Sequence, residues 1–188
     1  QFFIIFTDQH QLCVGHHSVP NVPNFPGEDS FPGIIIHSHD FTDAKKYTNK
    51  KVLCIGGSYS AEDICLQCWK KGSKVSHVSS RRPGGFGYPD WPATVDEKPI
   101  LTDIAGSKVT FSDGTSNEYD VIIKCTGFRH QFKFLDGDYE DMGGNILVPK
   151  GLFKQCVAID NPRLWFMGMQ YIVYSNSMFQ LQGNIAFL

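Results

Sequence analysis

The sequence has little surplus charge of either sign. Its 188 residues carry 17 basic and 19 acidic side chains, a formal net charge of −2. That balance leaves no basic footprint for nucleic acid or for an anionic membrane surface. It also lacks a long apolar run. The opening Gln1-Phe2-Phe3-Ile4-Ile5-Phe6 is too short to span a bilayer, and no basic segment with a small-residue cleavage site accompanies it, as a signal peptide would require. Cysteine is sparse and irregularly spaced: Cys13, Cys54, Cys65, Cys68, Cys125 and Cys156. This favours reduced thiols in a cytoplasmic setting over a disulfide scaffold. A starting Met is also absent, and the last residues, Asn184 to Leu188, are largely apolar with no helix stop signal. The chain therefore reads as an internal segment of a longer one.

What is present is a globular composition, 41% hydrophobic and 19% charged, enough for one domain with a real core. Pro20, Pro23, Pro26 and Gly27, followed by Pro32 and Gly33, mark an irregular connection in the first third. Lys51-Val52-Leu53-Cys54-Ile55 then enters glycines as a buried parallel strand would. Apolar residues at Ala61, Ile64, Cys65, Cys68 and Trp69 follow at helical spacing. Glu62 and Asp63 in the first turn, and Lys70 and Lys71 in the last, complement the helix dipole, with Gly72 placed to end the helix. Lys74–Ser79 reads as the next strand, so the segment is a β-α-β unit with a parallel sheet. A loop is expected from Arg81 to about Pro99. A hairpin is expected around Asp113-Gly114, and short buried strands at Val121–Ile123 and Leu164–Met167.

The turn Gly56-Gly57-Ser58-Tyr59-Ser60-Ala61 lies where a dinucleotide-binding loop belongs, between strand and helix. Gly56 can make the tight reversal and Ala61 can let helix and strand pack closely. Ser58 stands where glycine usually admits the pyrophosphate, and its hydroxyl could donate to a phosphate oxygen. The second strand ends in Ser79-Ser80-Arg81-Arg82, with no acidic residue for the ribose hydroxyls. Arginine there accommodates a 2′-phosphate, so NADPH is expected over NADH. On these residues alone, a strand-helix-strand unit of another α/β fold with a solvated Arg pair remains the alternative.

Four further motifs narrow the reading. Phe31-Pro32-Gly33-Ile34-Ile35-Ile36-His37-Ser38-His39-Asp40-Phe41 resembles the signature of flavin-containing monooxygenases, and it precedes the glycine turn by the interval usual in that family. Cys125-Thr126-Gly127-Phe128 resembles the motif closing the family's NADPH domain, and Cys13-Val14-Gly15-His16 a segment near the end of the first flavin half, with Val14 in place of the usual Thr. Gly57-Ser58-Tyr59-Ser60-Ala61-Glu62-Asp63 and Gly168-Met169-Gln170, with Tyr174-Ser175 and Met178-Phe179, are similar to the trimethylamine monooxygenase group; Tyr171-Ile172-Val173 departs from it.

The resemblance implies an α/β fold: a Rossmann-like NADP-binding domain with a parallel sheet, flanked by partial segments of an FAD-binding domain. The implied divisions are 1–45, 46–130 and 131–188. It implies NADPH and FAD as cofactors, and N- or S-oxygenation of a small amine or sulfide by O2 through a flavin C4a-hydroperoxide, with no catalytic side chain and no metal. A homodimer is compatible with it. Gly56, Ser58, Tyr59, Ser60 and Ala61 would contact the NADPH pyrophosphate and ribose, and Arg81 with Arg82 the 2′-phosphate. Thr126 and Gly127 would line the NADPH cleft, and Gln170 would contact the flavin. No first flavin loop is found in residues 1–50, so the chain alone is not expected to hold FAD tightly.

Plainer readings stand beside these. Cys65 and Cys68 lie on the buried helix stripe, which points to packing rather than redox or zinc chemistry. His16 with His17, and His37 with His39, lack ligand partners at metal spacing, and His37 is expected to stabilise a turn. A stand-alone NADP(H)-binding module is the alternative function. A flavin disulfide reductase is disfavoured because no cysteine pair lies in a flavin-facing loop.

Overall fold

The computed structural model describes residues 5, 6, 9–13, 15, 17–80, 91, 92, 94–129, 131, 132, 134, 135, 151–169 and 175–186. In chain order the first strands are β1 (Ile5–Phe6), β2 (Gln9–Leu12), β3 (Val19–Pro20), β4 (Ile34–His37) and β5 (Lys51–Ile55), followed by helix α1 (Tyr59–Lys70), β6 (Val75–Ser79) and β7 (Val95–Lys98). Then come β8 (Leu101–Ala105), β9 (Lys108–Phe111), β10 (Ser116–Glu118), β11 (Val121–Lys124), β12 (Phe128–Arg129), β13 (Leu152–Phe153), β14 (Val157–Ala158), β15 (Leu164–Phe166) and α2 (Ser175–Ala186). The chain divides into two compact units, Asn21–Gly127 on the one hand and Gln1–Pro20 with Phe128–Leu188 on the other.

The central unit is built on a five-stranded sheet in the order β4-β11-β5-β6-β7. Each neighbouring pair in it is parallel. The apolar runs of β5 and β11 are explained by burial on both faces. Val52, Cys54, Val121 and Ile123 join one core with Ala61, Ile64, Cys65 and Cys68 of α1. Leu53, Ile55 and Ile122 join a second core with Leu101, Ile104, Val109, Phe111 and Tyr119. The second face is thus covered by the antiparallel sheet β10-β9-β8 and its flanks. Its β9–β10 turn carries the Asp113-Gly114 signal: Asp113 Oδ1 accepts from the Thr115 amide at 2.9 Å, and Ser116 pairs with Thr110.

Several sequence expectations shift. Residues 34–37 are an edge strand of the central sheet, so the compact unit begins at Asn21, upstream of the boundary expected at 46. β7 lies within the expected 81–99 loop and pairs with β6. Its Val-Asp-Glu-Lys sequence has one buried apolar residue, Val95, so tertiary pairing rather than local preference makes it a strand. Helix α1 ends as expected before Gly72, and Ala61, Ile64, Cys65 and Cys68 of the expected stripe are buried, but Trp69 is 36% exposed; Glu62, in the first turn, is buried.

The other unit joins the two ends of the described chain. Its sheet runs β1-β2-β15-β14-β13, with β15 parallel to β2. Leu12, Phe132, Ala158, Leu164, Phe166 and Met169 form its small core. β3 and β12 pair separately, Phe128 with Pro20 and Arg129 with Val19. Among the described residues no helix is long and apolar enough to cross a membrane.

Candidate functional site

The glycine turn sits at the carboxyl end of β5, between two strands in register with it. Gly56 N–H donates to Ser79 O at 2.9 Å, and Cys125 N–H donates to Ile55 O at 2.7 Å. Gly56 has φ of 153°, and a Cβ there would lie 2.2 Å from Cys125 O, so no larger residue fits this backbone. The carboxyl edge of a parallel sheet is where ligands of such folds bind.

Beyond Gly56 the chain is open. Gly57, Ser58, Tyr59 and Ser60 are exposed, Tyr59 at 72%. Ser58 is the extended residue before α1, and its hydroxyl makes no capping bond. Ala61 N–H and Glu62 N–H turn back to Ser58 O at 2.9 and 3.4 Å. The helix start therefore presents the positive end of its dipole and an uncommitted hydroxyl beside the turn. Ala61 is fully buried, packing helix on strand.

Thr126 and Gly127 follow β11 on the same sheet edge, but the Thr126 hydroxyl is committed. It donates to Asn21 O at 2.5 Å, while Asn21 Nδ2 donates to Thr126 O at 3.1 Å and Asn21 N–H to Gly127 O at 2.9 Å. Asn21 was not singled out from sequence. Its only local signal is a place in the Pro-rich segment, where a side chain able both to donate and to accept suits irregular backbone. His37 behaves as a turn residue: its Nδ1 accepts from His39 N–H at 3.0 Å. Burial lowers its pKa, outweighing a hydrogen bond with the Gly127 backbone that acts the other way. Behind this edge, Lys124 Nζ is buried and donates to Glu28 Oε1 at 2.5 Å and to Pro23 O at 2.9 Å, anchoring the Pro-rich segment.

The other unit contains a cavity of about 680 Å3, with Gln11, Cys13, His17, Ser18, Met167 and Phe179 in its wall. Gly168, also in the wall, has φ of 76°, and a Cβ there would come 3.4 Å from the Phe179 ring. Its N–H donates to Gln182 Oε1 at 3.0 Å. Arg81, Arg82 and Gln170 lie outside the described residues.

Comparison with known proteins matches this arrangement. A family model described as pyridine nucleotide-disulphide oxidoreductase covers residues 11–96. A trimethylamine monooxygenase of Roseovarius sp. (strain 217) is 42% identical over 174 residues, covering 92% of this chain and 38% of the relative. The crystal structure of Tmm from Pelagibacter sp. strain HTCC7211 superposes with a TM-score of 0.81 at 43% identity, over 89% of this chain and 38% of that one. Over about nine tenths of its length the chain is thus similar to flavin-containing monooxygenases. An S-allyl-L-cysteine S-oxygenase from Allium sativum also shares the fold, with a TM-score of 0.77 at 26% identity over 92% of this chain and 40% of its own. The chain thus spans about two fifths of the length of its monooxygenase relatives.

The six cysteines are all free. Cys65 and Cys68 are buried in the core of the central unit. Hydrogen bonds with Cys125 and Cys65, together with burial, push the Cys54 thiol well up, and burial raises Cys68 to about 12. Such thiols stay protonated and unreactive near neutral pH. The Cys-x-x-Cys spacing is therefore packing, not the redox pair of a disulfide reductase. No group of metal-binding side chains occurs among the described residues.

Proposed function

We propose that the full-length protein is a cytoplasmic NADPH-dependent flavin monooxygenase acting on a small amine or sulfide, with trimethylamine as the first substrate to test. The central unit is its Rossmann-like NADPH-binding domain, and the other unit is part of its FAD-binding domain. The observation that carries this reading is Gly56. A strand-to-helix turn packed too closely on Cys125 to admit any Cβ, at the carboxyl edge of a parallel sheet and ahead of an exposed helix start, fits a dinucleotide pyrophosphate.

Gly56, Ser58, Tyr59, Ser60 and Ala61 would hold the pyrophosphate and ribose, with the Ser58 hydroxyl free to donate to a phosphate oxygen. Arg81 and Arg82 would take the 2′-phosphate by paired hydrogen bonds. Gly127 would border the nicotinamide end, with Thr126 holding that border in place through Asn21 rather than touching the ligand. The cavity of the other unit falls within the ~300–1,000 Å3 typical of cofactor sites and combines apolar Met167 and Phe179 with polar Gln11 and Ser18. Those residues fit one side of a flavin, which Gln170 would also contact. When bound, FAD supplies the redox chemistry that takes hydride from NADPH and activates O2. The protein's part is to orient the two cofactors and exclude water. The relatives named for trimethylamine and for S-allyl-L-cysteine support soft amine nitrogen or sulfide sulfur as the oxygenated atom.

The test is anaerobic addition of NADPH to the full-length protein, followed by air and trimethylamine. Bleaching of flavin absorption and stoichiometric N-oxide formation are expected. A colourless protein that binds NADPH would replace this reading with that of a stand-alone NADP(H)-binding module. Arg81→Ala should weaken NADPH binding about 100-fold while barely changing NADH binding; equal losses would remove Arg81 from the 2′-phosphate site.

A further inference from the structure

The charge of this chain is balanced in total, −2 over 188 residues, but the fold does not mix the signs evenly. At the amino end of the central sheet, the turn before β5 is bonded to the end of α1 and the start of β6. Thr48 Oγ1 lies 2.9 Å from both Lys45 O and Lys71 O, its single proton shared between them. Asn49 N–H donates to Gly72 O at 2.8 Å, and Lys74 N–H to Lys50 O at 2.9 Å. These bonds gather Lys45, Lys46, Lys50, Lys51, Lys70, Lys71 and Lys74 on one face, all exposed except the half-buried Lys51. Three carboxylates border them, and each is engaged locally. Asp43 Oδ1 accepts from Lys45 N–H at 2.9 Å, Asp120 Oδ2 accepts from Lys51 N–H at 2.8 Å, and Glu118 lies 3.7 Å from Lys51 Nζ. Among the described residues no ion pair involves the other lysines of the group. The face lies at the opposite end of the sheet from the Gly56 turn, and from Asn21 and Gly127, where the chain enters and leaves this unit.

Lys70 and Lys71 complement the dipole of α1. That leaves the others unexplained, and a like-charged cluster repels itself, so fold stability gives no reason to assemble it. All seven are lysine. Protein interfaces favour arginine, whose planar fork pairs with carboxylates, and are depleted in lysine. An anionic bilayer attracts simple point charges held near its surface. Trp69, partly exposed in the last turn of α1 beside Lys70, adds an indole of the kind that settles among lipid headgroups. We propose that this lysine face docks the protein peripherally on an anionic phospholipid bilayer. The Gly56 turn, at the other end of the sheet, stays clear of the lipid. The proposal goes beyond the cofactor reading and does not depend on it.

The experiment is sedimentation of the full-length protein with vesicles of phosphatidylcholine alone or with about one third phosphatidylserine. Wild type should sediment with the anionic vesicles and not with the neutral ones. Raising salt from about 0.1 M to about 1 M should release it. The triple variant Lys45→Gln, Lys50→Gln, Lys74→Gln should partition about 100-fold more weakly, with NADPH affinity unchanged and unfolding temperature no lower than wild type. Tryptophan emission should shift to the blue on anionic vesicles, and Trp69→Phe should abolish the shift. Wild type that ignores anionic vesicles would overturn the proposal. So would equal binding by the triple variant, which would put any membrane contact elsewhere on the protein. Tight binding of polyglutamate or duplex DNA without vesicle binding would replace the bilayer with a soluble polyanion.

Discussion

Two glycine turns, one in each unit, use the same residue in different ways. Gly56 is closed in by backbone: a Cβ would overlap Cys125 O at 2.2 Å, and β11, which leads into Cys125, is paired on both sides, which leaves that carbonyl little room to move. Gly168 is closed in by side chains, a ring at 3.4 Å and an amide at 3.0 Å, both of which can shift. The first turn is rigid enough to hold its shape whether or not a ligand is present. The second is set by packing and can be tuned by the residues behind it. Backbone constraint gives a turn that sequence alone can announce; side-chain constraint gives one that it cannot.

The comparison is broken most directly at Gly56. Gly56→Ala should destabilise the central unit by about 3 kcal/mol or more and lower NADPH affinity over ~100-fold, measured by urea unfolding and ligand titration. Unchanged stability would mean that the Cys125 carbonyl does yield. The strand bearing that carbonyl is backed by the Lys124–Glu28 pair. Glu28→Ala, which leaves Lys124 buried and unpaired, should cost about 3 kcal/mol. The double change Glu28→Leu with Lys124→Met should recover most of that loss, and a double-mutant cycle showing no coupling would refute the anchoring role.

On the strand whose Ser79 O receives Gly56 N–H lies His77, which shares a 2.6 Å hydrogen bond with Tyr119. Burial lowers the His77 pKa from 6.5 to about 4, with Lys98 adding to the shift. Between those values the unfolded chain binds the extra proton and the folded chain does not. The His77 contribution is therefore full above pH 6.5 and is lost as pH falls toward 4. Stability should decline across that window, and His77→Phe should flatten the decline; an unchanged slope would assign it to other groups. At the second turn, Gly168→Ala should cost about 1 kcal/mol, chiefly from its positive φ, well below the Gly56 change. Equal losses at the two sites would erase the distinction. The smallest expected effect is at the thiols. A neutral alkylating reagent should modify Cys13, the exposed one, and leave the five buried thiols intact in the native protein.

The legible part of the site is the part made by neighbours in sequence. The strand Lys51–Ile55, the turn at Gly56, the start of α1 and the Gly72 stop all follow from local chemistry: an apolar run, a residue without Cβ, and an apolar repeat at helical spacing. The Asp113-Gly114 hairpin was readable for the same reason. β7 was missed because Val95–Lys98 has little strand character of its own and is a strand only because β6 offers an edge. Trp69 was placed on the buried stripe because the periodicity fixed the helix but not how far its neighbours reach around it. The motif put Thr126 at the cleft, but the partner of its hydroxyl, Asn21, lies 105 residues away and no local pattern names it.

Sequence by itself determined the glycine turn between strand and helix, the packing role of the helix cysteines, and the motifs shared with flavin-containing monooxygenases. Each depends on spacing within a few residues, where steric rules and periodicity act directly. Tertiary structure alone decided the Asn21–Thr126 clasp, the Lys124–Glu28 anchor and the Gln182 support of Gly168. Each joins residues far apart in the chain, and only the folded backbone fixes which distant polar group meets a donor that burial does not allow to go unpaired.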